Sequence, residues 1–113
     1  MGLREWGNVP IIPFSRNSIL MIVGIRQWDL QLHGCHSLKD KRSILQSLKA
    51  ALRHGLNVAV AETGQQDAWQ RAEIACTTVA SDRKVAEEVL RSADRIVERA
   101  DGVRIIDTMT SFL

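Results

Sequence analysis

Two apolar stripes at helical spacing, each fenced by runs of extended character, limit what this chain can fold into more than any other feature. Leu38, Ile44, Leu45, Leu48, Ala51 and Leu52 recur at intervals that place them on one side of a helix, leaving the opposite side to water. Val85, Val89, Ala93, Ile96 and Ala100 do the same further on, joined by Ala86, Leu90 and Val97. A helix with a single stripe needs one apolar surface to cover. Four segments of strand character supply it, at residues 20–32, 56–62, 69–80 and 103–109. In the first, Leu20, Ile22, Trp28, Leu30 and Leu32 share one parity, while Met21, Val23 and Ile25 on the other give way to Gln27, Asp29 and Gln31. That pattern predicts a strand buried on both faces at its start and half-exposed toward its end.

The punctuation between these runs is local and chemical. Ser37 begins the first helix, predicted over 38–54, with Asp40 placed for a capping-box variant in which aspartate replaces the usual glutamate. Gly55 stops it, with Arg53 and His54 in the last turn where the helix dipole favours cations. Thr63, Gly64, Gln65, Gln66 and Asp67 supply turn chemistry. Ser81 and Asp82 open the second helix, and Asp101 and Gly102 close it. The resulting order is strand, helix, strand, strand, helix, strand. Two βαβ-type units joined by a hairpin make the split arrangement of the ferredoxin-like α+β fold, a four-stranded antiparallel sheet with both helices on one face. So many functions occupy this fold that it implies none by itself.

Length and composition set the outer limits. A chain of 113 residues, 45% hydrophobic and 25% charged, is one small globular domain. We expect that domain to span 19–113, behind an N-terminal arm at 1–18 that carries both prolines and has no sustained periodicity. The arm reads as flexible or as an upstream start ahead of Met21; a sharper reading has Trp6, Ile11, Ile12 and Phe14 packing on a neighbouring surface. No apolar run is long enough to span a bilayer, and no secretory signal stands out, so a soluble, cytoplasmic protein without a membrane partner is the expectation. Two cysteines, Cys35 and Cys76, are too few for a disulfide framework and read as free thiols. Net charge is only +2. Its distribution is uneven: residues 37–55 hold five cations against Asp40, a local +4, whereas residues 82–101 hold five cations against six acids.

Several blocks resemble a known family. "MIVGIRQWDLQLHGCHSLKDKRSILQSLK" (21–49), "NVAVAE" (57–62), "QDAWQRAEI" (66–74) and "SDRKVAEEVL" (81–90) are similar, in this order, to those of the bacterial YlxP-like family, a domain-of-unknown-function family of small ferredoxin-like proteins. The resemblance covers about residues 21–109. It implies no known activity. Members are often encoded near translation and ribosome-maturation genes, which implies an RNA- or ribosome-associated role. The sequence departs from the family pattern at Gly64 and Gln65, where an acid or histidine is common, and at Ala68, where leucine is usual.

Four candidate sites come from the residues themselves. His33, Cys35 and His36 offer nitrogen and sulfur donors, but a structural zinc site wants four ligands in separated pairs. Cys35 beside a helix start also has the setting of a reactive thiol, without a positioned base or any catalytic signature. Neither a metal, a cofactor nor a catalytic residue is therefore expected, and a thiol or metal enzyme ranks last. The basic start of the first helix ranks first: Ser37, Lys39, Lys41 and Arg42, supported by Arg71, are expected to bind the phosphate of RNA through side-chain charge and free backbone N–H groups. Trp28 and Trp69 form the fourth candidate, an apolar interaction surface for a homodimer, a small ligand or a protein partner on the open sheet face. For Trp69 a stacked base is the sharper alternative.

Overall fold

A computed structural model describes residues 5–6, 9–10 and 21–113. The first four of these form a short antiparallel ladder, Glu5 opposite Pro10 and Trp6 opposite Val9. The expected packing of the Trp6 side chain and of Ile11, Ile12 and Phe14 lies outside what is described.

The domain is built from β1 (Ile22–Leu32), α1 (Leu38–Gly55), β2 (Ala59–Gly64), β3 (Arg71–Ala80), α2 (Arg83–Arg99) and β4 (Val103–Phe112). The four strands make one antiparallel sheet in the order β2-β3-β1-β4, the ferredoxin-like arrangement that the periodicities predict. Both helices lie on one face, because each crossover returns over the sheet with the same hand. Between sheet and helices sits the core: Trp28, Leu30 and Leu32 from β1, Ala72, Ile74 and Cys76 from β3, Leu45, Leu48 and Leu52 from α1, and Leu90, Ala93 and Val97 from α2.

The single helix layer corrects one expectation. Met21, Val23 and Ile25 are only half-buried. They point away from α1 and α2, to a side of the sheet that no helix covers among the described residues. Strand limits also shift. β3 begins at Arg71 rather than at 69, and β4 continues to Phe112, held by reciprocal backbone bonds between Val23 and Leu113.

Helix starts follow the sequence closely, whereas Gly55, expected to stop α1, is its last helical residue and Leu56 is the cap. Ser37 Oγ accepts the N–H of Asp40 at 3.1 Å, and Asp40 Oδ2 accepts the N–H of His36 at 3.0 Å. The carboxylate thus reaches one residue beyond the cap. Asp82 Oδ1 accepts the N–H of Val85 at 3.0 Å and caps α2. Gly34 and Gly102 turn the chain with φ of +66° and +75°, a region costly for residues with a Cβ.

One polar group crosses the core boundary under α2. Asp94 receives Arg26 through Nε and Nη2 at 3.1 and 2.7 Å, and Trp28 Nε1 at 2.9 Å. The deepest aromatic ring therefore has its only polar atom satisfied, which is what keeps a fully buried indole tolerable.

Candidate nucleic-acid interface

α1 sorts its residues by angle. Lys41, Leu45, Leu48 and Leu52 are buried against the sheet. Beside that stripe, Lys39, Arg42, Gln46, Lys49 and Arg53 recur at intervals of three, four, three and four, which aligns them along one flank of the helix. Lys39, Arg42, Gln46 and Arg53 are exposed and Lys49 is half-exposed. At 1.5 Å per residue, the line from Lys39 to Arg53 runs about 21 Å.

This flank faces β2, one of the two edge strands of the sheet. A groove of about 290 Å³ separates them, lined by Leu38, Arg42, Gln46 and Lys49 on the helix and by Glu62 and Gln66 across from it. At the far end, Arg53 Nη2 donates to the carbonyl of Val60 at 3.1 Å, satisfying an acceptor of the strand edge. The one carboxylate in the groove, Glu62, is paired: Lys41 Nζ lies 3.1 Å from its Oε2. The remaining cations of the flank meet no acid lining the groove, so their field reaches solvent.

Lys41 is thereby corrected as a phosphate contact. It is 3% exposed. Besides Glu62, its ammonium donates to the carbonyls of Gln65 and Ala68, both at 2.6 Å, and so fastens the β2–β3 loop to the first turn of α1. With an apolar position at 41 on the helical wheel, its stem lies along the core and its head reaches a polar pocket. Ser37 is likewise occupied, its oxygen committed to the N-cap. The backbone donors of the helix start are partly consumed too, and Asp40 places a negative charge among them. The basic character therefore belongs to the flank of α1 rather than to its tip.

Arg71 is separated from this group altogether. Its Nη2 donates to Asp29 Oδ2 at 2.7 Å on the open sheet face, across the sheet from the helices. Asp29 Oδ1 and Arg71 Nε have no further partner. Glu73 and Asp107 line a small pocket of about 140 Å³ beside Asp29. Three acids thus lie on this half of the open face, Asp29 paired with Arg71, and Arg104 stands opposite Gln31 on the same face.

The two tryptophans do not share a surface. Trp28 has 0% exposure, on the helix-covered side of β1, which corrects its assignment to an interaction patch. Trp69 lies before β3 and is 42% exposed. Cys35 is buried with its Sγ 3.4 Å from the Ser37 carbonyl, whereas His33 and His36 are exposed. The three donors of the His-Gly-Cys-His turn therefore diverge. Lys49, Gln46 and Gln66 in the groove, and Arg53 on the same flank of α1, are residues that sequence reasoning did not single out; the spacing of three and four on α1 was the available signal for Lys49, Gln46 and Arg53.

A family model described as "Protein of unknown function (DUF503)" matches residues 23–110. The chain belongs to this family, the YlxP-like proteins. Among relatives, the uncharacterized protein YlxP of Bacillus subtilis (strain 168) is 30% identical over 70 residues, covering 62% of this chain and 76% of that one. Two solved structures resemble the DUF503 chain at low identity. SnoaB, a cofactor-independent oxygenase from Streptomyces nogalater, is 8% identical with a TM-score of 0.44, over 83% of this chain and 91% of that one. The de novo designed protein Foldit4 is 14% identical with a TM-score of 0.46, over 80% and 94%. Among the described residues, no helix is long and apolar enough to cross a membrane.

Proposed function

We propose that this DUF503 protein is a non-enzymatic, cytoplasmic module that binds the phosphate backbone of RNA, free or in a ribosomal assembly, along the outer flank of α1. Lys39, Arg42 and Lys49 make the contacts, and Arg53 extends the line while it caps the edge of β2. The single observation that carries the reading is the alignment of these cations beside a groove whose only acid is already neutralised by Lys41. Cations on a rigid helix contribute a sequence-independent attraction that weakens with salt.

Filter binding of bulk RNA at about 50 mM salt tests the reading, since three phosphate contacts change the slope of log affinity against log salt by about two to three. Replacing Lys39, Arg42 and Lys49 together by glutamate should reduce affinity more than tenfold and flatten that slope. The unfolding midpoint should hardly move, because these side chains stand away from the core. Unchanged affinity with an intact fold would remove this function.

A further inference from the structure

We infer that the RNA taken by this flank is single-stranded and that one of its unpaired bases stacks on Trp69. The inference rests on the phosphate-binding reading above and adds the class of ligand.

Trp69 is exposed, and the chain is tied down on both sides of it. On one side of it, the carbonyl of Ala68 accepts Lys41 Nζ at 2.6 Å. On the other, Gln70 Nε2 donates to the carbonyl of Cys35 at 3.4 Å, and the carbonyl of Gln70 accepts the N–H of Leu32 at 2.9 Å. The residues flanking Trp69 are therefore tied to the turn before α1, to its first turn and to the end of β1. This places the backbone at residue 69 beside the first turn of α1, the turn that carries Lys39. No regular element uses the ring: it precedes β3 and remains 42% exposed, while Trp28 fills the core. Leu38, in the first turn of α1, is equally exposed, at 42%.

An exposed aromatic near a cationic track is the combination that proteins use for single strands. The charges follow the backbone, and the ring offers a face to any base, whatever its identity. A duplex presents its phosphates but keeps its base faces stacked inside, so it can use the track and not the ring. Gln46 and Gln66 along the groove add amide donors and acceptors that reach the edges of splayed bases.

The test compares a 12-nucleotide uridine RNA with a duplex RNA of equal length by fluorescence titration at low salt. The expected result is tighter binding of the single strand, with quenching of tryptophan emission that disappears in Trp69→Phe. Trp28, sealed in the core, cannot report it, and a Trp6→Phe background removes the third indole of the chain. Trp69→Ala should weaken the single strand about tenfold and leave both the duplex affinity and the salt slope unchanged, because a ring adds stacking without charge. Trp69→Phe should retain most of the affinity, and its intact unfolding midpoint controls for the fold. Equal or tighter duplex binding overturns the inference, as does single-strand affinity indifferent to Trp69→Ala; in either case the charge-reversal variant still decides the phosphate reading. Failure of both RNAs to bind removes the two proposals together.

Discussion

Lys41 Nζ lies 3.1 Å from Glu62 Oε2, and the pair joins α1 to the edge strand β2 beneath the groove. The ammonium directs its hydrogen bonds to the carbonyls of Gln65 and Ala68, while Glu62 supplies the countercharge. Charge-assisted bonds of this kind are strong, yet their main consequence is what happens when one partner is lost. The same contacts hold the loop that carries Trp69.

Lys41→Met keeps the apolar stem and removes the head. Two carbonyls and a carboxylate then lose their cation, and we expect a loss of about 3 kcal/mol in urea unfolding. Lys41→Met combined with Glu62→Gln should recover part of it, since no uncompensated charge remains. A single variant within about 0.5 kcal/mol of the parent would show that the anchor carries no stability.

Ser37 separates capping from ligand binding. Ser37→Ala deletes the acceptor of the Asp40 N–H and should cost about 1 kcal/mol. Ser37→Asp, another good cap, should restore most of it. RNA affinity at low salt should be the same for the parent and for Ser37→Ala; a weakening in step with the charge-reversal variant would return the site to the helix tip.

Cys76 gives a pH dependence with a definite sign. Burial pushes its thiol up from the ordinary 9.0 to about 11; the Arg26 guanidinium opposes the shift and Asp94 adds to it. Between pH 9.0 and about 11 the unfolded thiol ionises while the folded one stays protonated, so the stability this group contributes is complete below 9.0 and lost as pH rises through that window. About two units correspond to roughly 2–3 kcal/mol. Cys76→Ala starts lower because it leaves a cavity, but the gap between parent and variant should narrow by that amount from pH 8.5 to about 11. A gap that stays constant across the range would refute the burial effect.

The order of elements was legible because it depends on local chemistry. The spacing of Leu38, Leu45, Leu48 and Leu52 dictates a helix, Ser37 and Asp82 dictate where helices begin, and Gly34 and Gly102 mark turns that other residues adopt only at a cost. Charge density was equally visible: a local +4 over residues 37–55 is a property of composition. These signals involve residues within one or two turns of each other, so the chain alone expresses them.

Which cations face solvent was a different matter. Lys41 has the same chemistry as Lys39, and only the packing of α1 on the sheet, with the carbonyls of Gln65 and Ala68 brought to meet it, turns one into an anchor and leaves the other free. Arg71 and the helical cations lie within one charged surface in sequence terms, but strand parity sends Arg71 to Asp29 on the opposite side of the sheet. Trp28 and Trp69 are alike as residues; one fills the core because its parity faces the helices, and the other stays outside because the strand begins two residues after it. The sequence by itself determined the elements, their order and the amount of charge. The tertiary structure decided which side chains share a face, because burial and partnership depend on contacts between segments far apart along the chain, which no local pattern encodes.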